Sequence, residues 1–399
     1  MKKTIKLAVV AALALGATSA FATNGSNMIA TGAKATGMGG VGIGVSHGAE
    51  SALSNPALIT SVENTEISFG GTIFMPSVST DGGSAGMVSN DSDANLNVIP
   101  EVSIASKIND NFYMGIGMWG TAGMGVDYRN AETNFAAMDP DNGTMNMVTN
   151  LQLMQFGVPF AYKINGLSVA VTPILQYGSL DMDFTADLNG DFVPDKVGNG
   201  VSQDLKFGYN IGFAYEVSGI TVGATYVSQI DMEYTGQFIE KLSTPSTLGA
   251  GISYEISGNT IALDYKQIKW EDAEGYKDFG WKNQSVMALG YQYATKDWAA
   301  RLGYNYAKSP IEDAGLADGG MKNMFNLVGF PAIVQSHITV GGTYNISKQT
   351  SVDLAYVYTP EVSETFDAMA PDGLGGYVAT TVETKHSQTA LSFQVNYVF

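Results

Sequence analysis

The sequence predicts an all-β protein: a 14-stranded antiparallel transmembrane β-barrel with an N-terminal hatch, or plug, inside its lumen. Short segments of alternating apolar and small or polar residues recur along most of the chain, and the connections between them alternate between tight turns and long polar loops. The last such segment ends at the last residue, Phe399. A barrel whose two ends lie on one side of a membrane shows this pattern, because short turns collect at one rim and long loops at the other.

The first element, residues 1–22, predicts a cleaved secretory signal. Its start is rich in lysine, an apolar run extends from Leu7 to Leu15, and the small-residue site Ala20-Phe21-Ala22 follows. The apolar run is far shorter than the roughly 20 residues that a spanning helix needs. We therefore expect cleavage after Ala22.

Composition narrows the class of protein. Aromatic residues make up 11% and charged residues only 15%, against roughly 25% charged in average soluble proteins. A mean hydropathy of +0.04 fits a membrane barrel, whose strands need an apolar residue only at every second position. The formal net charge of −18 disfavours nucleic acid as a partner. The acidic loops leave two interpretations open, a rim binding divalent cations that bridge to lipopolysaccharide or a simply solvated surface.

The C-terminal strand shows the alternation most clearly, with Leu391, Phe393 and Tyr397 on an apolar face and Gln394 and Asn396 on the other. This period of two predicts a strand with one face in lipid. The predicted strands are 65–75, 96–107, 111–126, 148–163, 167–184, 204–217, 220–236, 245–256, 259–271, 283–294, 297–308, 335–346, 350–360 and 385–399. Six tight turns, such as Asn165-Gly166, are expected in the periplasm and the seven longer connections outside the cell.

Residues 23–63 differ from the barrel segment, residues 64–399. They are rich in Gly and Ala, largely uncharged and show no strand alternation. The faces of the later strands that should point inward are small, including Gly208, Gly223 and Gly303. A lumen of about fourteen strands would be left open by such residues, so residues 23–63 are expected to fold back into it as a hatch.

The run GMGGVGIGVSHGAESALSNPALIT, followed by the fourteen-stranded pattern, resembles the FadL/TodX-type long-chain fatty-acid and hydrocarbon transporters of Gram-negative outer membranes. Asn55, Pro56 and Ala57 match that family's hatch motif, and NLVGFPAIVQSH (326–337) is a second similarity. The resemblance implies passive uptake of fatty acids or similar hydrophobic compounds in the outer membrane, without catalysis or a cofactor. The terminal strand, which ends in the aromatic Phe399, separately resembles the signal by which the barrel-assembly machinery recognises outer-membrane barrels. We expect a monomer.

Glycines crowd the third predicted strand at Gly117, Gly120 and Gly123, and glycines inside a strand often mark a bulge or bend. In the resembled family an inward kink of this strand opens a lateral exit for substrate. Room for the packed hatch is the alternative explanation. Pro100 and Pro159 add to the expected irregularity, since each removes a ladder donor.

Candidate ligand residues form two sets. A cation could orient a carboxylate, although each one could instead simply pair with a lumen acid. Loop aromatics and methionines could form an apolar capture groove. The candidates are Lys34, Lys206, Lys266 and Arg301 in the first set, and Phe135, Met138, Phe192, Met324, Phe325 and Phe330 in the second. Two competing functions are a hydrocarbon channel, which needs no cation, and a surface adhesin, which needs no hatch.

Other motifs lack the context that their chemistry requires. Two GxGxxG matches, beginning at Gly37 and Gly115, have no parallel strand before a helix. The acidic loop 187–195 has Phe192 where a calcium loop requires Gly. Three dispersed histidines show no local nucleophile, and the chain has no cysteine. We therefore expect neither catalysis nor a metal or other cofactor.

Overall fold

The computed structural model describes residues 24–82, 90–130, 147–186, 195–371 and 376–399. Its strands form one closed antiparallel sheet, in which β1 pairs with β17 on one side and with β3 on the other. Closure satisfies the backbone groups that hydrocarbon would otherwise leave unpaired. The predicted barrel is confirmed.

Seventeen strand segments among the described residues build fourteen wall strands. β2 and β8 are two- and three-residue additions in the loops, and β5 and β6 form one wall strand interrupted at Val158 and Pro159. The segments are β1 (Thr65–Asp81), β2 (Asn90–Asp91), β3 (Asn97–Lys107), β4 (Phe112–Asp127), β5 (Val148–Gly157), β6 (Phe160–Ile164), β7 (Leu167–Ala186), β8 (Asp195–Val197), β9 (Ser202–Val217), β10 (Ile220–Val227), β11 (Thr247–Ile256), β12 (Asn259–Ile268), β13 (Gln284–Ala294), β14 (Trp298–Ala307), β15 (Ser336–Asn345), β16 (Thr350–Pro371) and β17 (Tyr377–Val398).

The short helices are not part of the barrel wall. They are α1 (Ala33–Gly37), α2 (Met321–Met324), a π-helical turn (Phe325–Gly329) and the 3₁₀ turns Gly48–Leu53, Pro56–Ser61 and Trp270–Asp272. None of the helices in the described ranges is long and apolar enough to cross a membrane.

Tight turns connect the strands where the sequence places them. The turns at Asn165-Gly166 and Ser218-Gly219 have positive φ at both residues. This backbone matches the right-handed twist of the strands that the turns join. At the same rim, the N–H of Phe399 donates to the carbonyl of Thr65 at 2.9 Å, so the end of the chain closes the seam with β1.

The two faces of the wall follow the alternation in the sequence. Along β9 every second residue is exposed on the outer face, with Phe207 reaching 81%. Inward residues such as Asn210 and Ala214 are buried. The outer face is the apolar surface that a bilayer would cover.

One predicted strand is wrong in part. β10 ends at Val227 instead of continuing to residue 236, and residues 228–246 turn into the mouth of the barrel. Ile230, Met232 and Tyr234 alternate as lipid-facing residues would, yet they are buried in an apolar cluster inside that mouth. β16 and β17 run longer than predicted, since they remain paired beyond a register shift between Thr359 and Val362.

Candidate functional site: the hatch and the lumen cavity

The hatch, defined as residues 24–62, packs against inward faces of the wall where that wall is glycine. A Cβ added to Gly303 would lie 2.0 Å from the N atom of Gly39, and one added to Gly223 would lie 1.8 Å from the O atom of Ile43. No side chain fits at such distances. The small inner faces therefore accommodate the main chain of the hatch.

A buried wall carboxylate holds three consecutive backbone N–H groups of the hatch. Asp264 on β12 accepts from the N atoms of Gly42 and Ile43, each at 2.7 Å, and from that of Gly44 at 3.2 Å. Its side chain is buried. Successive N–H groups around one anion form a concave nest, and bonds to an ionised acceptor are stronger than neutral ones. Glu101 on β3 similarly accepts from the N–H of Gly32 at 2.7 Å.

The motif Asn55-Pro56-Ala57 is a helix start that also ties two parts of the protein together. The Asn55 side-chain oxygen accepts from the N–H of Ala57 at 3.1 Å, and Pro56 occupies the first position of the turn. The Asn55 amide nitrogen donates to the carbonyls of Ile43 at 2.8 Å and Phe213 at 3.0 Å. The motif thus links two hatch segments to β9.

The wall is discontinuous between β3 and β4. Their pairing stops at Glu101 opposite Trp119, next to Pro100, which has no N–H to donate. The register of β4 against β5 shifts between Gly120 and Ala122. A β-bulge of this kind bends its strand.

The hatch takes the place of β3 at this discontinuity. The N–H of Met28 donates to the carbonyl of Thr121 at 3.1 Å, and the N–H of Gly123 donates to the carbonyl of Ser26 at 3.0 Å. Gly117 faces the hatch, since a Cβ there would lie 2.7 Å from Leu53. The three glycines therefore lie at a bend that is also a hatch contact.

A cavity of about 170 Å³ lies between the hatch and the wall. Its apolar lining includes Leu53, Trp119, Ile174 and Ile268, with amide and hydroxyl side chains between them. Lys266 on β12 is the charged residue among the described residues that line it, and its Nζ donates to the carbonyl of Ile29 at 3.3 Å. The cavity thus combines an apolar surface with one cation.

The other candidate cations lie elsewhere and form direct ion pairs with carboxylates, whereas the acid nearest in sequence to Lys266, Asp264, is held by the hatch N–H groups. Arg301 pairs with buried Asp353 at 3.2 Å and also donates to Gln292 at 2.7 Å. Lys34 pairs with Glu66 at 3.6 Å, and it lines, with Arg301, a separate cavity of about 280 Å³. Lys206 lies near the loop end of β9 and pairs with Asp204 at 3.5 Å. Of the four candidates, the structure places only Lys266 at the cavity beside the hatch.

The three loop candidates that the structure describes are packed rather than arranged along an open groove. Phe325 stacks on Phe279 with ring centroids 3.7 Å apart, and Phe330 is fully buried beside it. Met324 packs partly buried against the same cluster. Phe135, Met138 and Phe192 lie outside the described residues, as does most of the acidic loop 187–195.

Sequence reasoning missed the aromatic cluster that covers the start of the hatch. Trp270, Tyr276 and Trp281 pack with ring centroids 4.6 to 5.0 Å apart, and a Cβ on Gly25 would touch Trp270. Their grouping within twelve residues of one loop could have indicated an aromatic cluster.

The histidines do not form a catalytic group. His47 bonds the carbonyl of Val41 at 2.8 Å, and His386 bonds that of Pro331 at 2.8 Å. Burial lowers the pKa of His47, in the hatch, to about 4. Within the described part of the chain, no group of three or more His, Asp or Glu residues is placed to hold a metal ion.

A closed barrel with an apolar outer face, a lumen occupied by its own leading segment and an apolar cavity beside that segment define a plugged transmembrane transport barrel. The family model for "Outer membrane protein transport protein (OMPP1/FadL/TodX)" matches residues 8–262 and 261–399. The chain belongs to this family, and it is an outer-membrane transport protein.

Relatives and solved structures agree with this assignment. A long-chain fatty acid transport protein of Escherichia coli O6:H1 is 25% identical over 371 residues, covering 76% of this chain and 79% of the relative. The fold is similar to that of a Pseudomonas aeruginosa FadL homologue, with a TM-score of 0.74, 13% identity and coverage of 94% and 99%. It is also similar to the P. putida toluene transporter TodX, with a TM-score of 0.69, 16% identity and coverage of 93% and 99%.

Proposed function

We propose that this protein takes up long-chain fatty acids, or similar amphipathic hydrophobic compounds, passively across the outer membrane. Substrate is captured at the extracellular loops, binds in the lumen cavity and leaves after the hatch shifts. The observation that carries the proposal is the position of Lys266, a cation in a cavity against the hatch whose lining is otherwise uncharged and combines apolar with amide and hydroxyl side chains. The similarity to long-chain fatty acid transport proteins supports it.

Burial of the acyl chain supplies most of the binding free energy. About fifteen methylenes at about 0.8 kcal/mol each give roughly 10 kcal/mol. The cavity of about 170 Å³ is smaller than the roughly 300 Å³ at which ligand pockets begin. A long chain therefore needs the additional space that movement of the hatch would open, whereas the carboxylate fits beside Lys266.

The release route that the geometry supports is lateral. β3 and β4 separate at Pro100 and Gly120, and residues 26–28 of the hatch fill the interval. Withdrawal of those residues would connect the cavity, which Met28 also lines, with the lipid-facing side of the wall.

A hydrocarbon channel is the second candidate, and the cavity volume favours it. About 170 Å³ suits a single aromatic ring better than an acyl chain, and Trp119 offers a flat apolar contact. The fold similarity to TodX is compatible with both functions.

Replacing Lys266 by Met distinguishes the fatty-acid transporter from the hydrocarbon channel, because Met keeps the apolar stem of the side chain and removes its charge. Uptake of a long-chain fatty acid and of toluene into cells expressing each variant is measured, with Lys206→Met as the matched control at a loop-end lysine. Loss of fatty-acid uptake alone supports the acid transporter. Unchanged fatty-acid uptake in the Lys266 variant would reject Lys266 as the carboxylate site. Uptake of toluene without uptake of the fatty acid by the native protein would favour the hydrocarbon channel.

We further propose that the protein works as a monomer, inserted by the barrel-assembly machinery through its terminal strand and surrounded by lipopolysaccharide at the loop rim. The pairing of β17 with β1 places that strand at the closing seam, and this position supports the proposal.

A further inference from the structure

Four buried polar side chains form a row across four consecutive wall strands. Asn305 on β14 is directly opposite His337 on β15, and Thr359 on β16 is opposite Gln388 on β17. Since Ile338 pairs with Tyr358, continuing the antiparallel register brings His337 opposite Thr359. Each of the four is at most 2% exposed. At roughly 4.8 Å between strands, this polar row spans roughly 14 Å of the inner wall.

Hydrogen bonds at the two ends fix which atoms remain free. The Asn305 amide nitrogen donates to the carbonyl of Gly39 in the hatch at 3.0 Å. Gln388 donates to Nε2 of His386 at 3.0 Å, and Nδ1 of that ring donates to the carbonyl of Pro331 at 2.8 Å. The side-chain oxygens of Asn305 and Gln388 are therefore acceptors that face neither of these partners.

The remaining polar atoms of the row have no partner among the described protein atoms. They are Oδ1 of Asn305, Oγ1 of Thr359 and Oε1 of Gln388. The ring nitrogens of His337 make no hydrogen bond of normal geometry, although the backbone of Asn305 lies close enough to interact with the ring. Buried polar groups in native proteins are almost always hydrogen-bonded, to protein, water or ligand. Several such atoms along one row therefore indicate bound groups that the protein itself does not supply.

The chemistry of these atoms selects the ligand. Two are carbonyl-type oxygens, which repel an anion, and the hydroxyl and the neutral imidazole each accept and donate. The four side chains bring no carboxylate to balance a buried cation. We propose that the polar row binds neutral groups that both donate and accept hydrogen bonds, namely ordered water or the hydroxyl of a substrate. The site is distinct from the cavity at Lys266 and does not depend on the carboxylate proposal.

Hydroxyl-radical footprinting of the purified barrel tests the site, because buried residues next to bound water are oxidised faster than their exposure predicts. The chain contains three histidines, so His47 and His386, both buried and bonded to carbonyls, are matched internal controls. We expect His337 to be oxidised several-fold faster than either. Equal rates for the three histidines would overturn the proposal.

Two further arms identify the ligand and check the row. A long-chain alcohol that protects His337, when the acid of equal length does not, indicates a substrate hydroxyl, whereas no protection by either indicates water. Protection by the acid alone would overturn the neutral-ligand assignment.

Thr359→Val should slow His337 oxidation several-fold. Thr384→Val, which removes a hydroxyl bonded to the carbonyl of Leu327, should leave the rate unchanged, and equal rates in both variants would again overturn the proposal.

Discussion

Replacing Asp264 by Asn should loosen the hatch without unfolding the barrel. The carboxylate accepts three backbone N–H groups, and an amide of the same shape loses the charge and turns an NH₂ group toward one of those donors. Losing one hydrogen bond to a charged acceptor costs about 1.5 to 3 kcal/mol. At 1.4 kcal/mol per factor of ten, the population of the undocked hatch should rise about 10- to 140-fold.

The absence of cysteine in the chain allows a direct assay. Val45 lies next to the nest and lines a third cavity, of about 450 Å³, between the hatch and the turns at Gly166 and Gly219. Val45→Cys therefore reports undocking through its rate of modification by a membrane-impermeant maleimide. Asp297→Asn, in an exposed turn at the same rim, is the matched control and should leave the rate unchanged. A rate in the Asp264 variant equal to that of the native protein, with the barrel folded, would show that the nest does not hold the hatch.

Three other changes test neighbouring parts of the structure. Gly120→Val with Gly123→Val should abolish uptake while heat-modifiable electrophoretic mobility stays native, because a Cβ at Gly120 would lie 2.4 Å from the side chain of Ile99 on β3 and so narrow the gap between β3 and β4. Undiminished uptake would argue against lateral exit. Asn55→Ala should destabilise hatch docking by about 1 to 2 kcal/mol through loss of the cap, seen as faster proteolysis of the hatch. Burial raises the pKa of Glu50, in the hatch, to about 7, so its contribution to docking is full below about pH 4.5 and is lost as the pH rises through about 7. Nitroxide mobility at residue 45 should therefore rise over this range, and Glu50→Gln should abolish the change.

The wall could be predicted because its physics is local. Alternation along β9 and β17 sets which side chains meet lipid, and dipeptides such as Ser218-Gly219 favour the backbone of a two-residue turn. The hairpin 228–246 could not be predicted, because Ile230 and Tyr234 alternate equally well for lipid and for a packed mouth. The hairpin is buried because it packs in one cluster with Trp270, Tyr276 and Trp281, which lie on another loop.

The lumen site beside the hatch could be predicted only as a set of candidate residues. Sequence identifies Lys266 and Arg301 as cations on strands, but their different roles depend on Asp353, two strands away from Arg301. The nest around Asp264 leaves no signal in residue types, because its donors are main-chain N–H groups. Glycine in the hatch and on the wall indicated close packing, and the register of that packing had to come from the structure.

The seam between the first and last wall strands has a consequence for how this protein can vary. Every loop lies between β1 and β17, so each insertion lengthens the chain that must be closed when the seam forms. The entropic cost of closure grows only with the logarithm of length, about 0.6 kcal/mol per doubling. An insertion in a loop therefore adds little to the free energy of closing the seam, so loop length can change while the cylinder keeps its circumference.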